Sequence, residues 1–203
     1  MNDVIAKYYM EKVQTLDWSD VTGGLVRAVS VKKPVGNNKT ITQIFPVACD
    51  ITNEDCQSNP DILRLFTPDS NKRAVIYFED KGVHSGVYNG KPKMVSRLRL
   101  VCWMNLRRFE NAGCSLSFYA ISSILPLLQT SNPVNYDGII QAMFSTGISI
   151  PPKDANIFSR YTYNEFKQFL LHPFDYFAID IETVFDVNPS CVPALEVKDE
   201  DCP

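Results

Sequence analysis

Residues 174–191 of the chain read FDYFAIDIETVFDVNPSC, and the alternation of their side chains predicts a long β-strand. From Phe177 to Val187 the odd positions are apolar or hydroxylated, whereas the even positions include Asp180, Glu182 and Asp186. Successive side chains of a strand point to opposite faces, so one face is apolar and the other is mainly acidic. We expect the acidic face to be a water-facing wall in an assembly and not a reactive centre.

A second long strand is predicted over residues 94–105, which read MVSRLRLVCWMN. Leu100 and Cys102 fall on its apolar face, and Arg97 and Arg99 fall on the opposite, polar face. Cross-strand ion pairs between these arginines and the acids of the terminal strand would explain both sets of charges.

The remaining elements follow from periodicity and turn residues. We predict a helix over 2–16 capped by Asn2 or Asp3, a break at Gly23-Gly24, and a β-hairpin formed by 25–31 and 40–49. A packed loop is predicted over 50–69 and a strand over 74–79, with a turn at Asn89-Gly90. The later predictions are helices over 115–129 and 136–144, a short edge strand over 148–152, and a short helix over 164–171.

This order predicts an α+β fold, in which helices pack on one side of a largely antiparallel sheet. At 203 residues the chain fits a single domain over 1–203. We expect an extended hairpin and loop insertion over about 25–93 and a mobile acidic tail over about 192–203.

Composition narrows the class of protein. Apolar residues make up 45% of the chain and the net charge is −3, which argues against a dedicated nucleic-acid binder. The basic cluster of Arg97, Arg99, Arg107 and Arg108 is interpreted as a solvated strand face and loop. No basic segment precedes an apolar run at the N-terminus, and no run is long enough for a membrane span, so we expect neither a signal peptide nor membrane insertion.

The six cysteines predict no zinc site. They form no Cys-x-x-Cys pair, and the chain has only two histidines. We expect free thiols in a reducing cytoplasm, with disulfides between Cys49 and Cys56 or between Cys191 and Cys202 as the alternative.

No catalytic motif is present. The sequence contains no phosphate-binding glycine loop and no Gly-x-Ser-x-Gly elbow. His84 precedes Ser85, but adjacent side chains in an extended segment point in opposite directions. Asp180 and Glu182, two residues apart and thus about 7 Å from each other, would suit an acid–base pair or a Mg²⁺ site. A hydrated strand face, or a surface that meets basic side chains of another subunit, is the preferred explanation, because the chain offers no further acid pair, phosphate loop or positioned histidine. We therefore predict no catalytic, cofactor or metal residue.

Residues 97–105 (RLRLVCWMN), the following helices and residues 172–191 together resemble neck or tail-completion proteins of tailed phages. The similarity is to tail-terminator-like and ring proteins of Bacteroidetes phages, crAss-like phages among them. It covers residues 94–191, about half of the chain, and consists of a pattern without an invariant motif. The segment 50–93 is longer than in a minimal terminator.

The resemblance implies a virion structural protein without catalytic residues, assembled in the host cytoplasm. Its protomers would form a six- or twelve-fold ring that joins portal-side, connector or tail proteins and lets DNA pass through the lumen without specific binding. The hairpin 25–49 and the loop 50–69 are the expected contacts to a neighbour. Two alternatives remain open here: a divalent-metal enzyme using Asp180, Glu182 and Asp186, and a cytoplasmic adaptor that binds through its hairpin and acidic tail.

Overall fold

One eight-stranded sheet organises the chain. A computed structural model describes residues 1–35, 39–49, 63–110, 116–130, 133–153, 155–162 and 171–188. The helices are α1 (Asn2–Val13) and α2 (Leu116–Leu128), with 3-10 turns at Leu106–Arg108 and Ala155–Phe158. The strands are β1 (Val21–Val35), β2 (Lys39–Cys49), β3 (Leu63–Leu65), β4 (Ala74–Tyr88), β5 (Lys91–Asn105), β6 (Val134–Tyr136), β7 (Ile140–Ser149) and β8 (Phe174–Val187).

The strand order across the sheet is β3-β2-β1-β4-β5-β8-β7-β6. Every neighbouring pair is antiparallel except β1 and β4, which run parallel between Val21 and Val26. The two long strands predicted from the sequence, β5 and β8, are direct neighbours at the centre. The predicted α+β class with a largely antiparallel sheet is confirmed.

Each face of the sheet is covered by a different apolar core. Both α-helices lie on one face, where Tyr9 and Ile124 share a cluster with Leu100 and Ile179. On the other face Trp103 stacks on Phe158, with ring centroids 4.3 Å apart. Alternate residues of β5 and β8 therefore enter opposite cores, as a period of two requires.

The predicted hairpin is present but its strands are longer. The Gly23-Gly24 pair does not separate two elements of secondary structure, as the sequence predicted. It lies inside β1, where the register with β4 shifts between Thr22 and Leu25. A Cβ atom on Gly23 would overlap the ring of Phe66, so close packing against this ring excludes a side chain. The strand predicted over 74–79 continues to Tyr88, and the Asn89-Gly90 turn that joins β4 to β5 is confirmed.

The predicted helix over 136–144 is wrong, because these residues form the turn and first half of a β6–β7 hairpin. Asp137 and Gly138 have φ angles of 55° and 66°, which reverse the chain and end any helical path. Ile140 and Met143 enter the same core although they are three residues apart, because the register of β7 with β8 shifts between Ile140 and Ala142. This irregularity gives the strand an apolar spacing like that of a helix. Of the edge strand predicted over 148–152, only Ile148 and Ser149 belong to β7, which ends before the two prolines.

The predicted cap of the first helix is also wrong. The N-cap is Met1, and no side chain caps the helix. Asn2 is instead buried, where its amide donates to Asp80 Oδ1 at 2.6 Å and its carbonyl oxygen accepts from Ser96 Oγ at 2.5 Å. This side chain ties α1 to the β4–β5 hairpin. The predicted helix over 115–129 is confirmed as α2, and Pro126 lies inside it.

Several predictions fall outside the described residues: nearly all of the helix over 164–171, the tail over 192–203 and much of the loop over 50–69. Among the cysteines that the structure does describe, Cys102 is a buried free thiol, and burial raises its pKa. Within the same described part, no helix has the length and apolar character needed to cross a membrane.

Candidate functional site

The predicted polar faces of β5 and β8 meet in a row of ion pairs, which we call the charge ladder. It consists of Lys93, Arg97 and Arg99 on β5 and of Asp180, Glu182 and Asp186 on β8. The strand register places Arg97 opposite Glu182 and Arg99 opposite Asp180. The cross-strand pairing expected from the sequence is therefore confirmed.

The pairs of the ladder differ in burial. Arg99 binds Asp180 with both arms of its guanidinium, Nε to Oδ1 at 2.6 Å and Nη2 to Oδ2 at 2.9 Å. These side chains are 17% and 35% exposed. Arg97 Nε contacts Glu182 Oε2 at 3.0 Å, with exposures of 55% and 39%. Lys93 pairs with Asp186 at the far end. The Arg99–Asp180 pair is thus the most shielded of the three.

Because each acid of the ladder has a basic partner, this face has no net charge. The expectation of an acidic wall is therefore wrong. The predicted alternation on β8 is present, but the basic side chains of β5 neutralise its acids. A face of this kind exerts little repulsion on a polyanion.

The ladder continues on β4 through Glu79, which lies opposite Arg99 and is fully buried. The Tyr161 hydroxyl donates to Glu79 Oε1 at 2.8 Å, and Lys81 Nζ lies 3.6 Å from Oε2. A tyrosine and a lysine therefore compensate this buried carboxylate. The open depression above the ladder has a volume of about 540 Å³.

Asp180 and Glu182, the acids of the alternative metal centre, are each paired with a guanidinium group. A divalent ion would have to displace both arginines. Within the described residues no group of three His, Cys, Asp or Glu side chains is arranged to hold a metal. His84 and Ser85 are successive residues of β4, opposite Val95 and Met94, so their side chains point to opposite faces.

A second depression, of about 610 Å³, lies where β1 and β4 begin. Arg64 and Lys72 contribute cationic groups to it, and Val21, Val75 and Phe174 contribute apolar surface. It was not predicted, because its lining residues come from three separate parts of the chain: Val21, the stretch 64–75 and Phe174.

Two exposed apolar surfaces stand out on the helix side of the molecule. The α2 patch consists of Phe118 and Tyr119, which are 69% and 67% exposed. The hairpin patch consists of Val83, Val87 and Met94, which are 39%, 77% and 40% exposed. They share one face of the β4–β5 hairpin, since Met94 lies opposite Ser85, between the two valines.

The sequence contains a signal for the α2 patch that the prediction of a helix did not use. Residues 116–128 read LSFYAISSILPLL and contain no charged residue. A surface helix normally carries charged side chains on its outer face, whereas one without them is normally covered. Ala120, Ile124 and Leu128 are buried, so the opposite side is uncharged surface that none of the described residues covers.

The two patches lie near opposite ends of the sheet. The Ser117 hydroxyl, beside the α2 patch, donates to Asp175 at the start of β8. Met94, in the hairpin patch, lies opposite Phe185 near the end of the same strand. Phe185 follows Asp175 by ten positions along the strand, which corresponds to about 33 Å.

Comparison with known proteins assigns no family to the chain: a scan against protein-family models matches none, and a search of curated proteins gives no significant match. Functional inference therefore depends on the fold, the two patches and the distribution of charge.

Proposed function

We propose that the protein is a virion structural component that forms a ring in the head–tail connector or tail of a phage. The observation that carries the proposal is the pair of separate apolar patches on one protomer. Exposed apolar surface rimmed by polar residues is typical of protein–protein contact sites. Phe, Tyr and Met are also enriched at such contacts.

The placement of the patches suits a head-to-tail contact, in which two different patches meet and each protomer keeps its other patch for a further neighbour. Such contacts close into a ring when the rotation between protomers allows it, and otherwise form a filament. In the proposed contact, the α2 patch of one protomer meets the hairpin patch of the next. A lasting interface of ordinary size buries about 800 Å² on each partner, so residues around both patches would take part.

The proposal includes no catalytic activity. The acids that suggested a metal enzyme form the charge ladder, and their role in the proposal is to fix the register of β5 on β8. The resemblance of residues 94–191 to neck and tail-completion proteins supports a location in the virion, between portal-side and tail-side components. A six- or twelve-fold ring around the DNA channel is the arrangement this resemblance implies.

Light scattering after size-exclusion chromatography tests the assembly, combined with negative-stain electron microscopy. We expect the wild-type protein to form annular oligomers as its concentration rises to about 100 μM, because assembly follows mass action. The F118S/Y119S variant should remain monomeric. The L65S variant is the control, since Leu65 is 51% exposed on the distant edge strand β3. Monomeric wild-type protein without annular particles, or equal assembly of wild type and F118S/Y119S, would contradict the proposal.

A further inference from the structure

β4 continues along β5 after it has lost its neighbour on the other side. The last pair between β1 and β4 joins Val26 to Glu79. A register shift between Asp80 and Val83 follows, and a bulge of this kind bends the strand. From Val83 to Tyr88, β4 pairs with β5 on one side, and within the described residues no strand pairs with it on the other. We call Val83–Tyr88 the free edge, because its outward N–H and C=O groups form a template for a further strand.

The free edge lacks the features that normally keep a strand from pairing with another chain. Edge strands usually avoid such pairing by being short or by carrying charged residues or proline. β3 and β6 have three residues each, and β1 beyond Val26 carries Lys32 and Pro34. The end of β7 that extends beyond β6 is followed by Pro151-Pro152. Residues 82–90, by contrast, read GVHSGVYNG and contain neither a charged residue nor proline.

The side chains of the free edge are accessible on both faces of the β4–β5 hairpin. Val83, Ser85 and Val87 alternate along the helix side, where Val87 is 77% exposed. His84 is exposed on the opposite face, which it shares with Gly86. A strand that approaches the free edge therefore meets backbone groups between exposed and mostly small side chains.

The sequence of the free edge complements itself. When two antiparallel copies are centred on Ser85, Val83 of each copy lies opposite Val87 of the other, and His84 lies opposite Gly86. β-Branched side chains pack well against cross-strand neighbours, whereas like charges directly opposite each other destabilise a sheet. This register joins the exposed valines and opposes no like charges. It therefore fits a second copy of the chain related by a two-fold axis, which is an isologous contact.

We propose that the free edge pairs antiparallel with the free edge of a second copy, across a two-fold axis at Ser85, and thereby joins two rings face to face. The inference rests on the proposed ring for its strength. Two short edges bury less than the roughly 800 Å² per partner of a lasting contact, so single protomers pair weakly. A ring multiplies the contact by the number of its copies.

The edge contact and the proposed ring contact are compatible within one protomer. The edge contact uses backbone groups that lie in the plane of the sheet. The ring contact uses the hairpin patch, whose side chains stand on the helix side of the sheet. A protomer therefore has a direction left for each of its neighbours.

Disulfide trapping of assembled protein at about 100 μM tests the register. We expect S85C to form a disulfide between two copies, identified by peptide mass spectrometry, because opposite Cα atoms of antiparallel strands are about 4.5–5.5 Å apart. V83C alone should give at least about tenfold less of its own linked dimer, since its two copies would be about 13 Å apart. A mixture of V83C and V87C should link the two positions. Wild-type protein, oxidised in the same way, controls for the native cysteines.

The H84K variant tests the joining of rings without changing the hairpin patch. Lysine on an edge strand opposes pairing, so H84K should form single rings with about half the wild-type particle mass. T42K is the control, because it adds the same charge at an exposed position of β2 and should keep the wild-type mass. Sedimentation measures the mass, and side views in electron microscopy show one ring or two.

Three results would overturn the inference: annular particles in which S85C forms no disulfide, V83C that links to itself as readily as S85C, or equal particle masses for H84K and T42K. The first result would leave the proposed ring intact. Linked S85C dimers without annular particles would support the edge pairing and contradict the ring. Absence of both the dimers and the particles would contradict both proposals.

Discussion

Arg99 lies directly opposite Asp180 in the pairing of β5 with β8, and both arms of its guanidinium bind the carboxylate. Arg97 and Glu182 repeat this relationship one step along the same face, but with much more exposed side chains. The two pairs therefore form a natural comparison of a shielded ion pair with an exposed one.

We expect D180N to lower the free energy of unfolding by about 1–3 kcal/mol, because it leaves a shielded guanidinium without its partner. E182Q should cost less than about 1 kcal/mol, since exposed pairs contribute little. Urea unfolding at neutral pH measures both variants. If both variants lost the same free energy of unfolding, or E182Q lost more, burial would not determine how much each ion pair of the ladder contributes to stability.

The contact between Tyr9 and Thr183 predicts a loss of stability at alkaline pH. The two hydroxyl oxygens are 2.8 Å apart, and burial raises the pKa of Tyr9 from its ordinary value of 10.0 to about 12. The native state therefore favours the neutral phenol. The contribution of the neutral Tyr9 to the free energy of unfolding is complete below about pH 10. It is lost as the pH rises towards about 12, so the free energy of unfolding falls by roughly 2–3 kcal/mol.

The Y9F variant should lose about 1 kcal/mol at neutral pH, the usual contribution of one hydrogen bond. Between about pH 10 and 12 it should lose less stability than the wild type, because it has no phenol to ionise there. T183V is the control, since it removes the partner and keeps the buried phenol. Urea unfolding over this pH range would contradict the assignment if Y9F and wild type lost stability in parallel.

The G23A variant should be destabilised by about 2–3 kcal/mol, because the added methyl group overlaps the ring of Phe66 and overpacks the core. G147A is the matched control, as its Cβ would lie 3.7 Å from Glu182 Cβ, an ordinary contact distance. Thermal unfolding compares the two variants. The double variant G23A/F66L should recover part of the loss. If G23A were as stable as G147A, the ring of Phe66 would not lie against Gly23.

The centre of the sheet was predictable because its strands alternate strictly. In β8 the odd positions Phe177, Ile179, Ile181 and Phe185 enter the helix-side core. The acids Asp180 and Glu182 lie on the opposite face, where they meet Arg99 and Arg97 of β5. Charge complementarity then identified the neighbouring strand before any contact was known. A period of two is a strong signal when one face is buried.

The error at 136–144 arose because apolar spacing alone cannot separate a short strand from a helix. Asp137-Gly138 was the overlooked signal, since this dipeptide favours the tight turn of a hairpin. The pairing of β7 with β8, a contact distant in sequence, then stabilises the strand. The two apolar patches could not be predicted, because identifying them requires the solvent exposure of their side chains. Only the absence of charge in α2 pointed to one of them.

Head-to-tail assembly is tested most directly by mixing two assembly-deficient variants and measuring particle mass by sedimentation. F118S/Y119S keeps an intact hairpin patch, and V87S/M94S keeps an intact α2 patch. Each variant alone should be monomeric, and their mixture should form one-to-one dimers that do not grow, because only one productive contact remains. A mixture that stays monomeric, or either variant forming dimers alone, would contradict assembly through these two patches.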